Sequence, residues 1–596
     1  MKALLAWIED RSGLGAALRK CADHPVPGGA CWCKVWPCTI LFAFCVEAIT
    51  GFFLWAYYSP SAQTAWESVY AIQHQISGGW LLRAIHHYTA HVLLALLIIY
   101  IVQMIFTRTY RAPRELVFWL AVGMGLCALA AVLTGDLLPW NQNAYASTKT
   151  RTGFLTFLPA IGDSLLRLAI GGPGPALGSH TLTRFFALHA GLFSGAFLFL
   201  LILHAALIRR ADAQQADAAE VVVPAWPSQT WRGAAACLIV VAAILGLACQ
   251  HATTDLHAGV ALGSPADTNP ANAYSAARPE WFLLGVYEFS HFFPGQRQIL
   301  PIFVFPGLVL CLFLAMPWIG RMRAGHYFNV GVTALLLVAM VALSYRSAAH
   351  DAADKEHQKA LADEAKLADR ACQLAVAHGI PSTGALTLLQ NDPKTQGPRL
   401  FQQCASCHNY FHGQDDDIVA EKPSAPNLWG FASRQWLAGL LDPKRIIGPD
   451  YFGNTKFRGA EMVGFVKENL ADLDKAEQKD LEKLVIALSG QAGLKSQWDL
   501  DAKDAEILKA APKLLDQFGC TDCHRFYEKG SAPVGPELTH YGSREWLIDI
   551  ISNPADKRLY GKKNDRMPAY AVEKILSDRQ IGLLADWLRG EWYEEE

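Results

Sequence analysis

The chain has 596 residues, 52% of them hydrophobic. This composition excludes an ordinary soluble protein of that length and favours a membrane protein. The formal net charge of −2 points to no charged partner, and we expect no nucleic-acid partner.

The first 35 residues mix charged and apolar side chains. Glu9, Asp10 and Arg11 interrupt the apolar residues, which does not fit the apolar core of a cleaved signal peptide. We therefore expect residues 1–35 to form an amphipathic segment on the membrane surface.

Seven apolar segments follow, each of about 20 residues, which is the length that a helix needs to cross the bilayer core. They lie near residues 36–58, 81–106, 116–137, 184–208, 231–250, 297–318 and 327–345. The sequence therefore predicts an all-α membrane part with seven spanning helices.

The basic residues predict the orientation of these helices. The loop 59–80 has no lysine or arginine, whereas alternate loops are basic. The basic loops contain Arg108, Arg111 and Arg114, then Arg209 and Arg210, then Arg321 and Arg323. Because basic loops stay on the cytoplasmic side, we expect a cytoplasmic N-terminus and a periplasmic C-terminal tail, in a bacterial cytoplasmic membrane.

Histidines inside spanning helices are functional candidates, because an ionisable group in the membrane is costly unless it is a ligand or is paired. The second and fourth segments contain His86, His87, His91, His189 and His204. His189 and His204 are 15 residues apart, about four helical turns, so they face the same way at two membrane depths. This spacing is typical of two haems stacked across a bilayer. The partner helix should then have two histidines about four turns apart. It does not, because Tyr100 is the residue 14 positions after His86.

A charged segment connects the membrane part to the tail. This linker covers residues 346–395, and its first part, residues 346–372, is rich in alanine, lysine and acidic residues at helical spacing, without a bulky apolar face. We expect a solvated helical linker.

The tail contains the pentapeptide Cys-x-x-Cys-His twice, as Cys404-Ala-Ser-Cys407-His408 and Cys520-Thr-Asp-Cys523-His524. At this spacing the two thiols form thioethers to a porphyrin and the histidine supplies an axial nitrogen to the iron. The pattern favours covalently bound c-type haem over a zinc site. The sequence therefore predicts two c-type haems and electron-transfer chemistry.

Two methionines are candidates for the other axial position of these haems. Met462 and Met567 are the only methionines after Tyr345, and one follows each pentapeptide. A thioether opposite histidine raises the haem potential, which suits a carrier of single electrons. The neighbouring sequence motifs Pro-x-Leu and Ser-Arg-x-Trp-Leu also occur twice. This repetition predicts two successive domains, residues 396–500 and 501–596.

Residues 1–345 resemble cytochrome b of the Rieske/cytochrome b complexes, in the split form that has a four-helix cytochrome b and a three-helix subunit IV. The words that carry the resemblance are Thr50-Gly51-Phe52, Gly79-Trp80-Leu81-Leu82-Arg83-Ala84-Ile85-His86, Pro113-Arg114-Glu115-Leu116, Leu138-Pro139-Trp140-Asn141-Gln142, Thr181-Leu182-Thr183-Arg184-Phe185 and Pro279-Glu280-Trp281-Phe282. The resemblance implies a haem-binding part over residues 36–215 and a subunit IV-like part over residues 216–345. The tail is expected to form two small α-helical domains similar to class I cytochromes c.

The resemblance also implies an outer b haem. Its axial ligands would be His86 and His189, and Gly51 and Gly135 would let the porphyrin edge approach the first and third helices. Arg83 and Arg184 are the expected partners of the haem propionates.

The same resemblance implies quinol oxidation at the outer face, in a pocket formed by Pro279, Glu280, Trp281 and Phe282 with the end of the third helix. Glu280 would accept a quinol proton, since partial burial raises the pKa of a carboxyl group towards the working pH. The family usually has tyrosine where Phe282 stands, so a hydroxyl contact is absent at this position.

The inner haem site departs from the family at three positions. Tyr100 replaces a histidine, Pro37 and Ala121 replace glycines, and His204 alone remains of the usual set. We expect that the inner haem is absent, or that His204 holds it with an open, water or tyrosine-oxygen sixth position. The alternative is that His91 or a shifted register supplies the missing ligand and two ordinary b haems remain.

The predicted function is that of a cytochrome b/c subunit of a quinol:cytochrome c oxidoreductase. The chain has no Rieske-like cysteine and histidine set, so a separate Rieske protein is implied. Other expected partners are further membrane subunits, a soluble periplasmic cytochrome or oxidase as acceptor, and a second copy of the chain.

Two other functions remain open at this stage. In one, the chain passes electrons from a periplasmic donor to the quinone pool. In the other, it is a relay and scaffold subunit without quinone turnover, which the intact Pro279–Phe282 loop disfavours.

Overall fold

The computed structural model describes residues 7, 9–172, 176–217, 219–250, 259–270, 272, 274–414, 416–530 and 534–594. The chain forms two compact units, residues 1–387 and residues 388–596. Helices account for nearly all regular structure in the described residues, as predicted. Residues 1–6 and 8 of the predicted surface segment lie outside the described part of the chain.

The first unit contains seven helices that are long and apolar enough to cross a membrane, which confirms the predicted number. The spanning helices are, in chain order, Trp36–Trp55, Gly79–Phe106, Glu115–Gly135, Ser179–Ala216, Ser228–Ala248, Gly295–Ile319 and Arg323–Ala353. Large apolar side chains on them, such as Phe199 and Leu238, are 66% and 69% exposed. Side chains of this type face lipid in an integral membrane protein.

Two spanning helices differ locally from the sequence prediction. The fourth contains a π-helical stretch, Ala187–Phe193, which includes His189. Such stretches are frequent at functional sites. The seventh continues to Ala353, beyond the predicted end at residue 345, because the residues after Tyr345 include no proline or glycine that would end a helix.

Shorter elements complete the first unit. Its other helices of the α type are Leu14–Ala22, Ala65–Tyr70, Gln142–Gly153, Gly162–Ile170, Leu284–Ser290 and Lys355–His378, and Leu386–Gln390 crosses into the second unit. A two-stranded antiparallel sheet joins Pro25–Pro27 to Val222–Pro224. The helix Leu14–Ala22 has no buried residue.

The linker is helical but packed, which differs from the solvated spacer that its composition suggested. Within the helix Lys355–His378, Ala371 and Cys372 are buried. The Ser264 amide and hydroxyl donate hydrogen bonds of 2.9 and 2.7 Å to Oε1 of Glu364. Burial raises the pKa of the Glu364 carboxyl group. Ala371, Cys372, Leu374 and Ala375 thus form a short buried face that the charged composition of the linker did not indicate.

The second unit repeats one local design. Ser433 and Ser543 each cap a short helix by accepting a bond from the amide of a tryptophan three residues later. The indole of that tryptophan donates to the carbonyl of Asn427 in one copy and of Glu537 in the other. The helices of this unit are Pro393–Phe401, Arg434–Leu440, Glu461–Asn469, Lys475–Ala492, Trp498–Lys503, Ala505–Lys509, Ala511–Gln517, Arg544–Ser552 and Asp578–Leu588.

The two repeats, called here the first module (residues 393–500) and the second module (residues 501–594), exchange terminal helices. Pro393–Phe401, at the start of the first module, packs against Asp578–Leu588, at the end of the second. Lys475–Ala492, at the end of the first module, packs against Ala511–Gln517, at the start of the second. One hydrophobic core therefore extends through both modules.

Trp587 is a central contact of this exchange. Its ring stacks on Tyr410 with centroids 4.2 Å apart and lies 5.4 Å from the ring of Phe401, both in the first module. Gly397 makes room for it, since a Cβ there would lie 2.0 Å from the Trp587 ring.

Replacing Trp587 with alanine is expected to destabilise the first module, because the lost ring supports Phe401 and Tyr410. Removing a buried tryptophan side chain costs about 3–5 kcal/mol of unfolding free energy. Limited trypsin digestion of the full-length protein should then cleave faster after Lys394 and Arg399, on the helix that packs against the helix of Trp587.

The matched control is Trp498→Ala, because Trp498 is 60% exposed. It should leave digestion of the first module unchanged. Faster cleavage confined to the second module in Trp587→Ala would contradict the exchange.

Candidate functional site

The pentapeptide histidines of the two modules are held in the same way. Nδ1 of His408 donates to the carbonyl of Pro426 over 2.8 Å, and Nδ1 of His524 donates to the carbonyl of Pro536 over 2.7 Å. A carbonyl only accepts, so Nδ1 carries the hydrogen and Nε2 keeps its lone pair. Each ring is therefore fixed in the tautomer that binds a metal through Nε2.

The four cysteines beside these histidines are free thiols in the described structure. Burial raises the pKa of Cys404 to about 11 and that of Cys520 to about 12. Gly535 lies against His524, where a Cβ would be 2.4 Å from Cε1. The thiols, the fixed imidazoles and this close glycine fit a covalently attached porphyrin.

The two methionine segments lie beside each other. Lys456 pairs with Asp565 over 2.8 Å, and Lys563 pairs with Glu461 over 3.6 Å. Both methionines pack, partly buried, against the common core. The assignment of Met462 and Met567 as axial ligands stays a prediction.

The outer histidine pair has the geometry of two axial ligands. The ring centroids of His86 and His189 are 6.1 Å apart. Metal–imidazole bonds are about 2 Å long, so two rings on opposite sides of one iron have their centroids about 6 Å apart. Nδ1 of His189 donates to the carbonyl of Ala131 over 2.8 Å, and Nδ1 of His86 lies 3.0 Å from the Thr50 hydroxyl. Both Nε2 atoms therefore remain for a metal.

Glycines flank this pair as expected. A Cβ at Gly51 would lie 3.1 Å from Cε1 of His86, and one at Gly135 would lie 2.7 Å from Cε1 of His189. Because glycine has no side chain, Gly51 and Gly135 leave space beside both imidazole rings. A porphyrin edge needs such space. The residues present here fit a haem.

The two arginines that were predicted to bind the haem propionates, Arg83 and Arg184, contact other residues of the protein. Arg83 donates to the Gln73 side chain over 2.9 Å and to the Val260 carbonyl over 2.6 Å. The guanidinium of Arg184 lies against Gly171. Their role towards propionates stays a prediction.

At the predicted inner haem site, side chains of the protein contact each other directly. The hydroxyl of Tyr100 lies 3.2 Å from Nε2 of His204, and the two rings are 6% and 0% exposed. An iron between oxygen and nitrogen would need a separation of about 4 Å, given bonds of about 2 Å. Ala121 is fully buried nearby in the same core, in which Phe44 stacks on Phe197 with centroids 4.8 Å apart. The residues at this position do not fit a haem.

The predicted quinol loop packs on the helix that carries His86. The indole Nε1 of Trp281 donates to Nδ1 of His91 over 2.9 Å, and the His91 ring lies 6.2 Å from that of Phe282. The sequence did not indicate this contact, because the spacing of His91 from His86 and His87 forms no known motif. The placement disfavours His91 as a ligand of an inner haem.

Glu280 lies in a partly buried, acidic setting. Burial raises the pKa of its carboxyl group, the charge of Asp136 raises it further, and Arg151 lowers it. Asp136 and Arg151 pair over 2.6 Å at the end of the third spanning helix. A carboxylate with a raised pKa is suited to accept a proton.

Comparisons with known proteins find that the membrane part of the chain is similar to cytochromes b. Residues 91–264 match the family described as Cytochrome b(N-terminal)/b6/petB. The menaquinol:cytochrome c reductase cytochrome b subunit of Geobacillus thermodenitrificans is 30% identical over 217 residues, which are 35% of this chain and 96% of that protein. Cytochrome b6 of Auxenochlorella protothecoides is 32% identical over 213 residues, 35% of this chain and 97% of that protein.

A solved structure with a similar fold is that of the hyperthermophilic respiratory Complex III. The match covers 63% of this chain and 96% of the matched chain, with a TM-score of 0.50 and 24% sequence identity. At this identity the likeness supports the fold alone.

Gly135→Ala is expected to lower the amount of b-type haem bound to the purified protein severalfold, because the added Cβ meets the His189 ring. The absorbance of the b-type haem measures it. The matched control is Gly125→Ala on the same helix, where a Cβ would make an ordinary 3.6 Å contact with Ile101. Equal haem loss in both variants would contradict the assignment of Gly135 to the haem site.

Proposed function

This chain belongs to the cytochrome b family, and from this membership we propose that it is the cytochrome b subunit of a quinol:cytochrome c oxidoreductase with a dihaem c-type tail. Quinol would be oxidised at the outer membrane face. The observation that carries the proposal is the hydrogen bond from Trp281 to His91, because it joins the loop of Glu280 to the helix of His86. Glu280 as proton acceptor and the b haem as one of the two electron acceptors would thus belong to one packed site.

Different residues would take part in the electron transfer and the proton transfer of quinol oxidation. His86 and His189 would hold a b-type haem, and this haem would accept single electrons. Glu280 takes a quinol proton, and the Trp281–His91 bond keeps the loop in place. Pro279, Trp281 and Phe282 would line the quinol pocket beside Glu280.

The tail would hold two c-type haems through Cys404 and Cys407, and through Cys520 and Cys523. Their axial ligands would be His408 and His524, with Met462 and Met567 opposite. The repeated histidine geometry supports this assignment. Both modules share one core, so the two haems would form one electron-transfer unit.

The proposed assembly contains further parts. A separate Rieske protein carries an electron from quinol to the tail, other membrane subunits and a second copy of the chain complete the complex, and a soluble periplasmic cytochrome or oxidase accepts the electrons. The membrane is a bacterial cytoplasmic membrane, with the N-terminus on the cytoplasmic side and the tail in the periplasm.

We further propose that the membrane part binds one b haem instead of two. The short contact between Tyr100 and His204 supports absence of the inner haem over asymmetric ligation, because it leaves no space for iron. Electron transfer to the inner face through a second b haem is then not available.

Glu280→Gln is expected to slow quinol oxidation by about 10²–10⁴-fold, the usual contribution of a positioned proton acceptor. The amide keeps the shape of the side chain but cannot take the proton. Steady-state reduction of the c-type haems by quinol measures the rate. Unchanged b and c haem content is the control, and a rate equal to that of the natural protein would exclude Glu280 as the acceptor.

The rate should rise with pH through the pKa of Glu280, because only the ionised carboxylate accepts a proton. Asp136 raises this pKa, so Asp136→Asn lowers it and moves the rise to lower pH. The Arg151 charge released from its pair acts in the same direction. The pH profile of quinol oxidation tests this, and a shift to higher pH would contradict the assigned electrostatics.

A pyridine haemochrome assay on the purified protein should give one non-covalent b haem for two covalent c haems. Tyr100→His restores a possible ligand pair with His204 and is the comparison variant. A ratio of two b to two c in the natural protein would mean that the inner site holds haem despite Tyr100.

A further inference from the structure

A single carboxylate lies inside the first spanning helix. Glu47 is the only charged residue in Trp36–Trp55, and its side chain is 14% exposed. A carboxylate at such a position is costly unless it has a specific partner. The position of Glu47 therefore calls for a functional explanation.

The partner of Glu47 is the outer ligand His86. Oε2 of Glu47 lies 2.9 Å from Nδ1 of His86. The Thr50 hydroxyl lies 3.0 Å from the same nitrogen and donates its own hydrogen to the Val46 carbonyl over 2.7 Å. Both oxygens can thus accept from Nδ1–H, which leaves Nε2 for the iron.

The second oxygen of Glu47 is also informative. Oε1 is buried and has no hydrogen-bond partner among the described residues. The carboxylate is therefore not part of another polar network that would explain its presence. His86 is the contact that remains.

The opposite ligand has a different acceptor. Nδ1 of His189 donates to a neutral backbone carbonyl, that of Ala131. A hydrogen bond to a carboxylate is stronger than one to a neutral carbonyl and makes the imidazole a more basic ligand. The two axial positions are therefore unequal in donor strength.

We propose that Glu47 is a positioning residue that strengthens His86 as an electron donor to the iron and thereby lowers the midpoint potential of the outer b haem. The oxidised iron carries one more positive charge than the reduced iron, so a more basic ligand and a nearby negative charge both favour the oxidised form. The inference rests on the proposed haem between His86 and His189.

The test is a redox titration of the b haem in purified full-length Glu47→Gln. Glutamine keeps the size and an accepting oxygen but removes the charge. We expect a tenfold or larger change of the one-electron equilibrium, which is a rise of about 59 mV or more in the b midpoint potential. The c haem midpoints should not move.

Glu288→Gln is the matched control. Glu288 is a buried carboxylate of the same unit, with a side chain 4% exposed, and it pairs with Arg346 over 2.9 Å. Its replacement should leave the b midpoint unchanged, which separates contact with His86 from a general loss of buried charge.

An unchanged b midpoint in Glu47→Gln with b haem retained would overturn the inference. If Glu47→Gln binds no b haem, Thr50→Val decides, because loss of the hydroxyl leaves Nδ1–H to Glu47 alone. The midpoint should then fall, and a constant or higher midpoint would overturn the inference. Absence of b haem from the natural protein would instead be a failure of the proposed function.

Discussion

One constraint recurs at the four histidines proposed as haem ligands in this chain, namely a hydrogen bond that fixes Nδ1 and leaves Nε2 for a metal. His86, His189, His408 and His524 all obey it, although their acceptors differ. His204 has the opposite arrangement, because its Nε2 contacts Tyr100 and its Nδ1 has no partner among the described residues. The same physical rule therefore distinguishes four metal-ready imidazoles from one that is part of a packed core.

In the membrane unit, the loop that contains the proposed proton acceptor packs on the helix that contains a proposed haem ligand. His86 and His91 are on one helix, and the loop of Glu280 reaches that helix through Trp281. Burial and the charge of Asp136 raise the pKa of Glu280, whereas the packing of the outer histidines requires glycine neighbours. The Trp281–His91 bond, the raised pKa of Glu280 and the glycines beside the outer histidines together support the proposal of a quinol site beside a haem.

The second unit depends on a different kind of constraint, the exchange of terminal helices between its modules. Trp587 completes the packing around Phe401 and Tyr410, although it lies in the other repeat. The terminal helices of each repeat pack against the other repeat, so the modules share one hydrophobic core. For a pair of haem carriers, such an arrangement limits relative motion.

The sequence by itself determined the seven spanning helices, the two attachment motifs and the departure at Tyr100, because hydropathy, spacing and residue type are local properties. Only the tertiary structure decided that Glu47 contacts His86, that His91 meets the quinol loop and that the modules exchange helices. These contacts join residues far apart in the chain, and no local pattern encodes which distant partner a side chain meets. The packed linker follows the same logic, since the burial of Ala371, Cys372 and Leu374 depends on the surface that they meet.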